Sequence, residues 1–327
     1  MRAFITGVSG FVGGHLAEHL LASNDQVAGI SSSGRWPEDL AFLGRSVRLE
    51  RCDLTTVDQS ELAENLKRKR PEAIYHLAAW SNPRTSLDDP RGTWALNLGG
   101  TLNLLEAVKE AGLSPSPRIV LVGSGVCYGN PAPEDIPISE RCPLRPNNPY
   151  SASKAAADLL GAQMSLSDGL EIMMVRPFNH AGPRQSPRYV LATLAKQVAE
   201  VEAGRREAVE VGNLDVVRDF TDVRDVVRAY RMLVLRGRTG EIYNLGAGQG
   251  LKLADALETL RGMARRPVEV RVDPARVRGV DQPYLVADAS KLREAVGWAP
   301  LLPIDRTLGD MLEFFRRQLA ESPQPGA

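Results

Sequence analysis

The chain has 327 residues, with 40 basic against 40 acidic side chains, a formal net charge of zero and 43% hydrophobic content. That length supports one large domain or two smaller ones with a sizeable core. Balanced charge gives no electrostatic reason to expect nucleic acid or an anionic membrane as partner, and no run approaches the roughly 20 apolar residues of a membrane span.

Apolar periodicity begins almost at Met1, so no signal peptide is expected. RAFITG reads as a strand and GGHLAEHLLA as a helix; DQVAGIS and VRLERCDL follow as strands, then ELAENLKRK as a helix. PEAIYHLAA is a fourth strand, with a helix around TWALNLGGTLNLLEAVKEA; PRIVLVGS is a fifth, YSASKAAADLLGAQMS a helix and LEIMMVRP a sixth strand. Strands alternating with helices predict an α/β fold, a doubly wound parallel sheet of Rossmann type. After Pro177 the rhythm breaks in RPFNHAGPRQSPR, and a smaller C-terminal lobe is expected, interleaved with the sheet because GEIYNLGAG reads as one more core strand. The boundaries that follow are 1–178 with about 219–248 for dinucleotide binding, and 179–218 with about 249–320 for the substrate lobe. The three cysteines, Cys52, Cys127 and Cys142, lack metal-site spacing and read as free thiols in a reducing cytoplasm. His15, His19, His76 and His180 are too scattered for a zinc site, so no metal is expected.

The first strand runs into TGVSGFVGGH, where Gly7, Gly10 and Gly13 are spaced G-x-x-G-x-x-G between a strand and a helix. Such a turn lets a pyrophosphate approach the backbone and rest on the unpaired amides of the helix N-terminus. At the end of strand two, an NAD site usually places an acid for the ribose hydroxyl. Here GISSSGRW has none, and Ser31, Ser32, Ser33 and Arg35 suit a 2′-phosphate, unless the segment is simply a solvated turn. NADPH is therefore the expected cofactor, with NADH possible. Asp53 ends strand three, placed for adenine or as a cap for the next helix.

NPYSASKAAAD opens a helix in which Tyr150 and Lys154, four apart, share a face. An ammonium beside a phenol favours phenolate and lowers its pKa; the tyrosine then exchanges a proton with a carbinol oxygen. Ser124 ends strand five, where ligands of open α/β sheets bind, and reads as catalytic or as a cap.

With the HLAA at 76–79, these motifs resemble the extended short-chain dehydrogenase/reductase family over essentially the whole chain. The resemblance implies that Ser124 bonds the reacting sugar oxygen, Tyr150 is the acid or base and Lys154 tunes it. It also implies that Phe11, Val12, Leu54, Leu77, Ala78 and Ala79 join the glycines around NAD(P), and that Ser81 meets the sugar. RPFNHAGPRQSP and VGNLDVVRDFTDVRD are similar to the GDP-mannose branch, which contains 4,6-dehydratases and 4-keto reductases. That likeness places Asn179, Arg218 and Arg278 on the diphosphate, Val190 in a guanine pocket and His180 nearby. In the dehydratases a glutamate stands two residues before the tyrosine that follows the Ser/Thr; here that position is Val126, preceded by Gly125. Neither can move a proton, so dehydration is disfavoured and reduction of a C4 ketone of a GDP-sugar is expected, giving GDP-D-rhamnose or GDP-6-deoxy-D-talose. A nucleotide-sugar 4-epimerase and a non-catalytic NADP sensor are the rivals. The family resemblance also implies a homodimer built on the helix after strand four and the Tyr150 helix, with Ala155, Ala156 and Ala157 as its small-residue face.

Overall fold

The computed structural model describes residues 1–276 and 284–321. Seven strands form the central sheet: β1 (Arg2–Thr6), β2 (Gln26–Ser31), β3 (Arg48–Arg51), β4 (Ala73–His76), β5 (Arg118–Val122), β6 (Ile172–Pro177) and β10 (Ile242–Leu245). Their order is β10-β6-β5-β4-β1-β2-β3, all parallel. The order reverses between β1 and β4, which opens a crevice at the strand C-termini.

Alternate residues of each strand face opposite layers. Ile5, Tyr75, Val120 and Met173 pack on one side, against α1 (Phe11–Ala22) and α8 (Val223–Arg236). Phe4, Ile74, Ile119 and Met174 pack on the other, against α2 (Gln59–Lys69), α5 (Thr101–Ala111) and α6 (Pro149–Asp168). Burial on both faces explains the near-continuous apolar runs of the inner strands. Between β4 and α5 the chain makes α3 (Thr85–Asp88), α4 (Pro90–Trp94) and a wider π-helical turn over Ala95–Gly100.

The second lobe gathers β7 (Asn179–Ala181), α7 (Val190–Glu202), β8 (Ala208–Val211), β9 (Val217–Asp222), β11 (Gly250–Lys252), α9 (Leu253–Gly262), β12 (Glu269–Val272) and β13 (Tyr284–Leu285). Its core joins Leu191, Val198, Phe220 and Leu257 to Leu308 and Met311 of α11 (Ile304–Glu321). Between β13 and α11, α10 (Ser290–Val296) turns back: Leu292, Val296 and Trp298 pack with the central sheet, not with the lobe.

The acids of RDFTDVRD lock these layers together. Asp219 is fully buried and accepts backbone hydrogen bonds from Ala247, Gly248 and Ala287 at 2.9, 2.9 and 3.1 Å. Asp222 caps α8 through the Arg224 amide and also accepts from the Thr307 hydroxyl of α11 at 2.7 Å. No helix among the described residues is long and apolar enough to cross a membrane.

Candidate active site

A cleft of about 850 Å³ opens at the switch point, a size that suits a small-molecule or cofactor site. One end is the turn between β1 and α1. Gly7 takes φ +72°, a left-handed conformation natural only to glycine, and its amide donates to Ile30 O at 2.8 Å. A Cβ on Gly13 would stand 2.3 Å from Gly7 O and 2.7 Å from Val8 O, so only glycine lets the helix close on the turn. Helix α1 has no side-chain cap and no acid in its first turn. Its leading amides and its dipole suit a diphosphate. Ser31 and Ser32 line the cleft at the end of β2, with Asp53 and Leu54 beyond β3 and Leu77, Ala78 and Ala79 after β4. This lining fits a dinucleotide.

At the other end, Ser124, Tyr150 and Lys154 converge on the cleft wall. Ser124 follows β5 and also caps the short 3-10 turn Gly125–Tyr128, its hydroxyl accepting from Val126 N at 3.4 Å. The cap reading of this serine is thus met, and its place on the cleft wall leaves its hydroxyl facing the site. Helix α6 starts with Asn148 and Ser151 in a capping box and Pro149 at its first turn, which fixes Tyr150 at the helix entrance. The Tyr150 amide donates to Ser86 Oγ at 3.2 Å. Burial pushes the Tyr150 phenol well above its ordinary value, while a hydrogen bond with Ser124 pulls it down. The phenol is thus raised by burial, not lowered as its spacing from Lys154 leads one to expect, and the downward influence comes from Ser124. Lys154 donates from Nζ to Val122 O at 2.6 Å. Burial lowers its pKa to about 8, against the opposing charge of Asp158 one turn along α6.

Tyr128 lies behind this cluster rather than in it. It is fully buried, receives Arg176 Nη1 at 2.9 Å and donates to Asn244 Oδ1 at 2.7 Å. Arg176 Nε meets Asp158 Oδ2 at 2.7 Å, with both side chains nearly inaccessible to solvent. Asp158 Oδ1 has no hydrogen-bond partner; the place of a Cβ on Gly123 lies 2.5 Å from it.

Of the other predicted site residues, Gly10, Phe11, Val12, Ser81 and Asn179 line the cleft. Arg35, Val190 and Arg218 do not. Arg35 is exposed just past the serines. Val190 stands at the outward side of the first turn of α7, 38% exposed, and Tyr189 lines the cleft in its place. Arg218 donates from Nη1 to Val217 O at 2.9 Å in β9. Arg278 lies outside the described residues. His180 lines the cleft with its ring stacked on Phe11, centroids 6.2 Å apart. Trp80, Gln185, Tyr189 and Tyr230 also line it and escaped sequence reading. Their only sequence signal was proximity to HLAA and RPFN; Tyr230 lies mid-helix, where an aromatic reads as core. Val126 lines the cleft as well, and Asp53 is the one carboxylate in the lining among the described residues.

The glycine turn at the switch point and the Ser124–Tyr150–Lys154 cluster define an enzyme of the extended short-chain dehydrogenase/reductase class. More particularly, the chain belongs to the GDP-mannose 4,6 dehydratase family, whose sequence model matches residues 4–311. It is 35% identical to a GDP-6-deoxy-D-mannose reductase of Pseudomonas aeruginosa, over 98% of this chain and 99% of that one. A UDP-glucose 4-epimerase of Streptomyces lividans is 34% identical over 91% of each chain. The solved structure of RMD from Pseudomonas aeruginosa complexed with NADPH superposes with a TM-score of 0.84 at 34% identity, covering 97% of this chain and 99% of that one. The protein is thus a nucleotide-sugar-modifying enzyme of this class.

Proposed function

We propose that the protein is an NAD(P)H-dependent reductase of the C4 ketone of GDP-4-keto-6-deoxy-D-mannose, giving GDP-D-rhamnose or its C4 epimer GDP-6-deoxy-D-talose. One observation carries the choice of reduction over dehydration. Around Ser124, Val126, Tyr150 and Lys154 the described cleft lining holds no carboxylate, since Asp53 sits beyond β3 with the cofactor residues. Loss of water across C5 and C6 needs a base for the C5 proton and an acid for the leaving hydroxyl. Ketone reduction needs one proton donor. The 35% identical relative that carries a reductase name supports the same reading.

The residues act as follows. When bound, the nicotinamide supplies the hydride. Tyr150, held protonated by burial, gives its proton to the C4 oxygen. Ser124 shares a hydrogen bond with that phenol and holds the same oxygen. Lys154 keeps a positive charge beside them and favours the phenolate left behind. Asn179, at the cleft wall, is placed for the diphosphate. The acid-free end of β2, with Ser31 and Ser32 in the cleft and Arg35 beyond, favours NADPH over NADH. Residues 1–178 with about 219–248 would hold the dinucleotide, and 179–218 with about 249–320 the sugar nucleotide, apart from α10 on the sheet.

The test is incubation with the ketosugar and either NADPH or NADH, following cofactor absorbance and the product by NMR. Net consumption of NADPH with a reduced C4 product is expected. A purified protein that carries stoichiometric NAD, consumes no NADPH and interconverts C4 epimers would be the epimerase. Release of water from GDP-mannose would overturn the argument from Val126.

Because Lys154 titrates near pH 8, its ammonium is intact below that pH and lost above it. The rate of reduction is expected to fall as pH rises through about 8 in a pH–kcat profile, with no matching loss of NADPH affinity at pH 7.

A homodimer is also proposed. Ala155 and Ala157 turn into the subunit, so the face is not the small-residue patch expected from sequence. The outer side of α6 instead shows Leu159 and Leu166, 68% and 87% exposed, beside Leu102 on α5. Exposed leucines on two adjacent helices fit a second copy of the chain. Leu159→Arg combined with Leu166→Arg is expected to convert the dimer to monomer in sedimentation, with the fold retained by circular dichroism.

A further inference from the structure

Across the cleft, the hydroxyls of Ser81 and Tyr189 meet at 2.7 Å. They come from separate layers, 108 residues apart in sequence: Ser81 follows β4 of the central sheet, and Tyr189 precedes α7 of the second lobe. Both line the cleft. Their main chains are fixed independently of this bond. The Asn97 side chain clasps the backbone of Trp80, accepting from its amide at 2.9 Å and donating to its carbonyl at 3.1 Å. Tyr189 O receives both the amide and the hydroxyl of Thr193, at 2.8 and 3.0 Å. The two hydroxyls are therefore held face to face by rigid supports, and each keeps hydrogen-bonding capacity beyond the bond they share. Ser81 and Tyr189 line the same cleft as Tyr150, so the pair and the proton donor face one bound sugar.

We propose that Tyr189 and Ser81 form a two-hydroxyl clamp that recognises the C3 hydroxyl of the ketosugar and thereby orients the neighbouring C4 carbonyl towards Tyr150. The proposal rests on the reductase reading. In a 4-keto-6-deoxyhexose the carbonyl is flanked by C5, which carries a methyl, and by C3, which carries the only adjacent hydroxyl. A polar pair lining the same cleft as Tyr150 is placed for the C3 hydroxyl when the carbonyl is at Tyr150. That hydroxyl docks on the pair, accepting from one and donating to the other through the capacity their shared 2.7 Å bond leaves free. A sugar lacking it leaves the pair bonded to itself, which makes the site selective for 3-hydroxy substrates.

The test crosses an enzyme change with a substrate change. Wild type, Tyr189→Phe and Ser81→Ala are each assayed with the ketosugar and with its 3-deoxy analogue, NADPH being saturating. In wild type the analogue is expected to lose about fivefold to tenfold in kcat/KM, the range of one neutral hydrogen bond. In Tyr189→Phe the parent substrate should lose a similar factor, mostly in KM, while the further loss for the analogue shrinks towards onefold; NADPH affinity stays unchanged. Ser81→Ala repeats the comparison without altering α7, and settles it if the tyrosine variant does not fold. A bond that serves only to tie the lobes would lower the melting temperature in both variants and leave the analogue's penalty as large as in wild type, which overturns the clamp. Wild type that binds NADPH but does not reduce the parent ketosugar overturns the reductase reading, and the clamp with it. Turnover of the parent with an undiminished penalty in the variants overturns the clamp alone.

Discussion

Tyr150→Phe is expected to lower kcat for ketosugar reduction by about 10²- to 10⁴-fold, the range of a positioned general acid, while leaving NADPH binding by fluorescence titration near wild type. The substitution removes one oxygen and little else. The Tyr150 backbone stays pinned by the capping box of α6 and by Ser86 Oγ, and the ring keeps its buried place. What is lost is the proton. Burial holds the phenol in its protonated form at neutral pH, the form a reductase needs, whereas a catalyst working by oxidation would first have to create phenolate. Ser124 cannot substitute, because an aliphatic hydroxyl is far weaker as an acid than a phenol. Turnover within a few-fold of wild type would remove Tyr150 from the chemistry.

Asp158→Ala is expected to destabilise the fold by about 3–5 kcal/mol in urea titration, the penalty for leaving one charge of a buried pair without its partner. Arg176 is 4% exposed and spans Asp158 and Tyr128; without the carboxylate its charge has only the Tyr128 oxygen and ring. A second effect separates charge from packing. Asp158 is the main influence that raises Lys154 against burial. Removing its charge leaves burial with less opposition, so the alkaline limb of the rate profile moves below pH 8. Asp158→Asn keeps the shape and a hydrogen-bond acceptor for Arg176. It should recover part of the stability and none of the pH shift.

The sheet was legible in the chain because its strands are buried on both faces. Runs such as IVLV and IMMV admit no other reading once helices separate them, and the parallel order follows. Gly13 was legible for a related reason: a turn that would place its Cβ 2.3 Å from a carbonyl has one residue to choose from. Tyr150 and Lys154 were found through helical spacing, a local property. What stayed hidden is non-local. Nothing in the sequence pairs Ser81 with Tyr189 or Asp158 with Arg176, since those contacts depend on where separate layers meet. Arg218 shows that a motif can carry structure as well as a site. Arg218 sits within a specific motif, yet it bonds its neighbour's carbonyl in β9 instead of lining the cleft. The acids around it, Asp219 and Asp222, are occupied in joining strands to α8 and α11. Much of that motif's regularity is architectural. The phenol of Tyr150 shows the same limit in energetic form: spacing places an ammonium a turn away, but only burial decides which influence prevails.

The path of the chain between its two cores restricts how its specificity can be rebuilt. It leaves the central sheet after β6, returns through α8 and β10, leaves again for β11 to β13, returns as α10 and ends in the lobe with α11. No single excision yields the second lobe, and a graft from another enzyme would need matched seams at every crossing, including the carboxylates at 219 and 222. Recombination by exchange of contiguous blocks would mostly yield unfolded products. New substrates are more accessible through point changes at Asn179, His180, Gln185 and Tyr189 and at Trp80 and Ser81 after β4, whose side chains line the cleft.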